Sequence, residues 1–238
     1  MAKKKQIVEC VPNFSEGRNL NVIKQITDTI EAVEGIKLLD VDPGEATNRT
    51  VVTFVGEPEA VVEAAFNAVA KAGELIDMRK HHGAHPRIGA TDVLPIVPVS
   101  GITIEECAEL ARKLAERIMD ENEKPDFGAR PYDEQVAKTG CTVVGARDFL
   151  IAVNYNLNST STRRANAIAF DVREKGRPVR EGNPITGKKK LDENGNVIMC
   201  PGTLKGTKAI GWFIDEYGIA QVSMNITNIN ETPFHKAS

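Results

Sequence analysis

The stretch HHGAHPRIG, residues 81–89, holds three of the four histidines in the chain. Histidine is the side chain that changes charge near neutral pH and a common nitrogen donor to metals. A cluster of this kind could ligate a metal, act as a general base with its supports, or form a polar loop without chemistry. His81 and His85 stand four apart, which on a helix would put two zinc ligands on one face. Gly83 and Pro86 oppose a helix here, because proline lacks the N–H and restricts the residue before it. No third ligand of the usual type stands at motif spacing, so metal ligation is not expected. A histidine that precedes proline is held extended, which defines the direction of its side chain. Gly83 and Gly89 let a ligand approach the backbone closely, and Arg87 could grip a carboxylate through a bidentate fork. On residue chemistry alone, general base catalysis by at least one histidine and a bland polar loop both stay open.

Other candidates lie at strand ends, where a rigid scaffold holds functional side chains. Asp40 and Asp42 occur in LLDVDPG and are expected on opposite faces of the strand. Asp42 is the candidate, with a turn-forming Asp before Pro-Gly as its bland alternative. Thr47, Asn48 and Arg49 open the next strand and could hydrogen-bond a ligand. Asn13, Ser15 and Glu16 in VPNFSEGR could do the same or cap a helix. Trp212, the single tryptophan, is read as core or interface rather than as a stacking platform.

These residues need elements to position them. Residues 6–12 read as a strand, 19–33 as a helix with Val22, Ile23, Ile26, Ile30 and Val33 on one face, and 36–42 and 49–56 as strands. Pro58 opens a second helix with a buried stripe from Val61 to Ile76. VLPIVPV, residues 93–99, is apolar but holds two prolines and is expected as an edge strand or a buried extended segment. The order β-α-β-β-α-β is that of a ferredoxin-like unit. The last connection is a long aperiodic loop, RKHHGAHPRIGAT, and a long structureless loop in a compact domain is usually functional or disordered. Thr103 and Glu106 form a capping box ahead of a helix with Cys107, Leu110, Ala111, Leu114 and Ile118 on its inner face. The polar, turn-rich residues 121–140 are the expected boundary, giving subdomains 1–140 and 141–238. In the second, CTVVG and FLIAVNYNL read as strands, a helix follows Ser159–Thr162, LDENGNVIMC carries an Asn-Gly hairpin signal, and 208–214 and 219–227 are strands. The fold class is therefore α/β (α+β), with two ferredoxin-like subdomains of which the second lacks a closing α-β and is expected to be incomplete.

Composition excludes several classes. The 238 residues are 41% hydrophobic and 26% charged with a net charge of −3, which gives no global case for nucleic acid. Lys3–Lys5 and Lys188–Lys190 are short basic runs of the solvated kind. No apolar run approaches the roughly 18 residues of a membrane span. The N-terminus lacks the apolar core of a secretory signal, so the cytoplasm is the expected compartment. There Cys10, Cys107, Cys141 and Cys200 should stay reduced.

Read together, VECVPNFSEGR (8–18), LLDVDPGEATNRTVVTFVGEP (38–58), LIDMRKHHGAHPRIGATDVLPIVPV (75–99), PDFG (125–128), VVGARDFLIAVNYNL (143–157) and AIGWFIDEYGIAQVSMNIT (209–227) resemble the glutamate formiminotransferase family, in order along nearly the whole chain. The resemblance implies transfer of a formimino group from N-formimino-L-glutamate to N5 of tetrahydrofolate in histidine degradation, without a metal. It implies two α/β subdomains, a homodimer and a folate tunnel between subdomains, with tetrahydrofolate or its polyglutamylated forms as co-substrate. By the same resemblance the catalytic histidine, the last of HHGxHPR, is His85. The family's acid after the second strand is Asp42, the arginine of TNRT is Arg49, and the folate-contacting loop lies between Gly128 and Gly140. Asn48, Arg49 and Arg87 are the expected substrate contacts, with either arginine able to hold a substrate carboxylate. Two departures stand out. The family carries a long segment before PDFG where this chain has only ENEK, and it continues past the TPFH region. They motivate an alternative expectation, a shortened folate-binding protein with weak or no activity. A ferredoxin-like structural module with a surface histidine loop is the reading of a different class.

Overall fold

A computed structural model describes residues 5–122, 133–184 and 186–237. The chain divides into two compact units, Met1–Arg147 and Asp148–Ser238. Both mix strands and helices, as the α+β reading expects.

The first unit is built on strands β1 (Ile7–Cys10) and β2 (Asn13–Phe14), helix α1 (Leu20–Glu31), β3 (Lys37–Gly44), β4 (Arg49–Gly56), α2 (Pro58–Leu75), β5 (Thr91–Ser100), α3 (Ile104–Asn122), α4 (Glu134–Thr139) and β6 (Val143–Ala146). β1 and β2 run end to end between β4 and β5, antiparallel to both; β3 adds to β4 antiparallel, and β6 adds to β5 parallel. Alternation along the strands turns Val8, Cys10, Val52, Phe54, Leu94 and Ile96 into a single core with the apolar stripes of α1, α2 and α3. Each such side chain, fully buried, contributes roughly 1.5–3 kcal/mol. The capping box forms as read: the Thr103 N–H donates to Glu106 Oε2 at 2.8 Å and the Glu106 N–H to Thr103 Oγ1 at 3.2 Å. In α1 the cap is Asn19, whose side chain accepts from the Asn21 and Val22 N–H groups.

Three expectations are settled or changed. First, the buried alternative for VLPIVPV holds: β5 is an interior strand rather than an edge, flanked by β1 and β6. Its prolines are tolerated because Pro95 lies opposite the break at Val11–Pro12 and Pro98 lies beyond Ala146, the last β6 residue in register, where no N–H is needed. Second, Val143–Ala146, read as opening the second half, is a strand of the first sheet. The backbone leading to it is tied to the histidine loop: the Ala90 N–H donates to the Thr139 carbonyl and the Cys141 N–H to the Ile88 carbonyl. The chain therefore emerges beside β5. Third, Asp40 and Asp42 share one face, opposite Thr53 and Val51, because residues two apart on a strand point the same way.

The second unit has β7 (Ile151–Asn156), α5 (Thr162–Val172), the short strands β8 (Arg177–Pro178) and β9 (Met199–Cys200), β10 (Thr207–Ile214), β11 (Ile219–Ile226) and α6 (Phe234–Ala237). β10, β11 and β7 form an antiparallel sheet in that order, and α5 packs on it through Ala165 and Ala169 against Ala209, Val222 and Met224. The Asn-Gly turn is present: Leu191 bridges Val197 and Gly195 takes φ +81°. Gly211 is what allows α5 to sit so close, since a Cβ there would lie 2.2 Å from the Asn166 nitrogen. No helix among the described residues is long and apolar enough to cross a membrane. Gly211→Ala should lift α5 from β10 and expose this unit to limited proteolysis while the first unit keeps its protection; equal protection of both units would show that the close approach carries little.

Candidate active site

Three loops meet at one end of the first sheet: the VPNFSEGR loop after β1, the turn between β3 and β4, and the histidine loop between α2 and β5. Their meeting point is Asn48. It adopts φ +49°, a left-handed conformation that Asn tolerates better than most residues. Its Oδ1 accepts the Gly17 N–H at 2.9 Å and its Nδ2 donates to the His82 carbonyl at 2.9 Å. Its backbone carbonyl receives His81 Nε2 at 2.9 Å. The Ala84 N–H donates to the Ala46 carbonyl at 3.1 Å. Two glycines make the approach feasible: a Cβ on Gly83 would lie 2.1 Å from the Thr47 carbonyl oxygen, and one on Gly17 would lie 2.3 Å from that of Gly44.

The histidine loop leaves α2 through a 3-10 turn at Met78–Lys80 and is irregular up to β5. The helix that would pair His81 with His85 as ligands does not form. Among the described residues no three His, Cys, Asp or Glu side chains converge as a metal-binding group. Arg87 turns back on its own loop, donating through Nη1 to the carbonyls of Gly83 at 2.6 Å and His85 at 2.5 Å, and through Nη2 to that of His81 at 3.4 Å. Its guanidinium is thus engaged by the carbonyls of its own loop.

Arg49 has a different partner. Its Nε and Nη2 donate to Asp92 Oδ2 at 3.1 and 2.8 Å, with side-chain exposures of only 15% and 7% for the pair. Asp92 Oδ1 in turn accepts the Ile88 N–H at 2.9 Å. One carboxylate thus fixes both the arginine of β4 and the far limb of the histidine loop. Sequence reasoning passed over Asp92. The available signal was an acid at the head of an apolar strand, where a buried charge demands a partner.

His85 sits in the loop spanned by these contacts. Its Nδ1 makes a close hydrogen bond to the Pro86 carbonyl oxygen. That bond puts the proton on Nδ1 and makes Nε2 the basic nitrogen. Burial first, and then the Arg49 and Arg87 charges, push the His85 pKa below the ordinary 6.5, against the opposing pull of the Pro86 bond and Asp92. His81 is lowered as well, by burial first and then by Arg87 and Arg18, and its buried Nδ1 has no hydrogen-bond partner. Both shifts favour the uncharged ring, the state in which an imidazole can accept a proton.

The remaining candidates lie as follows. Asp42 is exposed on β3, opposite Val51, and the loop of His85 is braced by Asn48, Arg87 and Asp92 instead. Gly140 caps α4 with φ +67° and bridges Gly89; a Cβ there would lie 2.1 Å from the Ile88 carbonyl oxygen. It backs the histidine loop at Ile88 and Gly89. Gly128, with the rest of PDFG, lies outside the described residues. Asn13 donates to the Val11 carbonyl, Ser15 Oγ to the Gly89 carbonyl at 2.7 Å, and Glu16 accepts the N–H groups of Arg18 and Asn19. Trp212, in the second unit, donates to Gln221, which donates to Asn156 across the sheet.

Residues 7–129 match the family model of the formiminotransferase domain, N-terminal subdomain, and residues 152–238 match that of the formiminotransferase domain. The chain is 34% identical to a glutamate formimidoyltransferase of Thermoplasma acidophilum, covering 97% of this chain and 80% of that protein. It is 36% identical to one of Streptococcus pyogenes serotype M1, covering 97% and 81%. With the formimidoyltransferase-cyclodeaminase of Dictyostelium discoideum it shares 41% identity over 97% of this chain. The chain spans 46% of that protein, so about half the length of such relatives. That match extends over 268 positions against 238 residues here, so the relative carries residues where this chain has none.

The clamp has a measurable weight. Asp92→Ala leaves Arg49 buried without its partner and should cost about 3–5 kcal/mol in urea unfolding. Asp42→Ala, on the exposed face, should stay within about 0.5 kcal/mol. Equal effects would mean that Asp92 does not brace the loop.

Proposed function

The chain belongs to the formiminotransferase family, and from that premise we propose that it transfers the formimino group of N-formimino-L-glutamate to N5 of tetrahydrofolate, giving 5-formiminotetrahydrofolate and glutamate. The observation that carries this reading is His85: an imidazole whose Nδ1 hydrogen-bonds the Pro86 carbonyl and whose pKa is lowered by burial and by Arg49, held in a loop tied to two other loops of the sheet end.

The steps balance through this one side chain. N5 attacks the formimino carbon, and His85 Nε2 takes the N5 proton as the new C–N bond forms. The imidazolium then returns the proton to the departing nitrogen of glutamate as the old C–N bond breaks. General base action of this kind is typically worth about 10²–10⁴-fold. The formimino group, an amidine, is protonated and electrophilic at neutral pH, so the chemistry asks for no metal. Arg49 spends Nε and Nη2 on Asp92; its third nitrogen, Nη1, is our candidate for a substrate carboxylate. Asn48, Arg87 and Gly140 act by shaping the loop, and Asp42 and Gly128 are candidate folate contacts. The reading includes a homodimer, a cytoplasmic location and tetrahydrofolate, with or without a polyglutamate tail, as co-substrate.

A second reading is folate binding with weak or no turnover. The extra residues of the relative, at positions this chain lacks, favour it. Calorimetric titration with tetrahydrofolate, in the presence and absence of formiminoglutamate, separates the two: binding without product would favour the second.

His85→Ala should lower turnover by about 10²-fold or more with an unchanged circular dichroism spectrum; a folded variant with full turnover would remove His85 from the mechanism. The wild-type kcat/KM should hold as pH falls from 8 toward 6.5 and drop only below it, because the base stays unprotonated down to its lowered pKa. A drop centred above 6.5 would contradict the assignment.

A further inference from the structure

The second unit contains a cavity that formimino transfer, as proposed above, does not use. Its volume is about 180 Å³, and it lies between α5 and the segment that begins with β8. Three arginines line it, Arg163 from α5 and Arg177 and Arg180 from the β8 side, and no lining residue is acidic. The rest of the wall is largely apolar, with Phe170, Pro178 and Pro184.

We propose that this cavity binds a small organic anion, a carboxylate carried on a flat apolar body. Arg177 is fixed in place by its Nη2 donation to the Ala167 carbonyl at 3.1 Å and by an ion pair with Asp171. Its Nε is buried and has no hydrogen-bond partner. That donor is closed off from solvent, so what Arg177 offers a ligand in the cavity is the charge of its guanidinium rather than this N–H. Arg180 spends Nη1 on the Gly187 carbonyl at 2.6 Å, which likewise holds it in position. Arg163 is exposed and has no hydrogen bond or ion pair to another described residue, so its fork is available at the solvent side of the cavity. The amide of Asn166 is fully occupied with Thr162 and Gly211, which leaves recognition of polar atoms to the arginines.

The walls decide the rest of the ligand. Arg173 stacks over one face of the Phe170 ring, 4.1 Å from its centroid, and this holds the ring still. Phe170 and the two prolines offer flat apolar contact that an inorganic ion cannot use. Drug-sized ligands occupy roughly 300–1,000 Å³, so this cavity takes something smaller, about one ring with its carboxylate.

Benzoate is a suitable probe, with benzyl alcohol and inorganic phosphate as controls that each lack one half of the chemistry. Calorimetry and ligand-observed NMR on the full chain should show one benzoate per chain, with a Kd on the order of millimolar or tighter. Both controls should bind at least about tenfold more weakly. Arg163→Gln, which removes an exposed side chain, should weaken benzoate about tenfold, as expected for loss of one charge-assisted contact. Ala167→Phe, which fills the cavity from α5, should abolish binding with the helix content unchanged. Binding is read here without turnover, so the outcome is independent of the formimino-transfer reading. No benzoate binding to the wild type, equal binding to Arg163→Gln, or phosphate binding as tight as benzoate would each overturn the proposal.

Discussion

The arrangement around His85 depends on one asparagine. Asn48 joins three loops that are far apart in sequence, through its Oδ1, its Nδ2 and its backbone carbonyl. These bonds are nearly buried, where an unmade hydrogen bond costs the full desolvation of the group left behind, about 1–3 kcal/mol. The left-handed backbone at Asn48 is the cost of bringing the amide and the carbonyl to bear at once. Gly17 and Gly83 are what the close packing demands, since any larger residue would collide with backbone. Hydrogen bonds, local strain and glycine placement all serve one geometry: a histidine loop held against a rigid sheet end.

Electrostatics then sets the state of the base. Arg49 keeps a positive charge near His85, while its partner Asp92 pulls the other way and also holds Ile88. Burial and that charge both disfavour the imidazolium. A loop on the surface without these neighbours would leave its histidine near the ordinary value. The same groups that stabilise the loop thus prepare the proton acceptor, which links folding energetics to the chemistry. The ion pair is also why Arg49 is only partly available for a substrate.

Much of this was legible in the sequence, and for physical reasons. The helical stripes of α1, α2 and α3, the Thr103–Glu106 capping box and the Asn-Gly turn are local signals, and each appears in the structure. Gly83 and Pro86 opposed a helix, and the loop between the 3-10 turn and β5 is irregular. What stayed open was non-local. The choice between edge and buried strand for VLPIVPV depends on β6 arriving beside it, which no local pattern reports. The partner of Arg49 lies 43 residues away, and the loop carbonyls that engage Arg87 carry no sequence signature. The opposite-face reading of Asp40 and Asp42 conflicted with strand periodicity itself and was wrong on elementary grounds.

The central claim is that this fold keeps His85 uncharged and basic at neutral pH. Ring-selective NMR titration of His85 in the full chain tests it most directly. The account predicts a midpoint for His85 below 6.5, the Nδ1–H tautomer above it, and a rise toward 6.5 when Arg49 is replaced by methionine. A midpoint at or above 6.5 in the wild type, or a proton on Nε2 in the neutral ring, would contradict it.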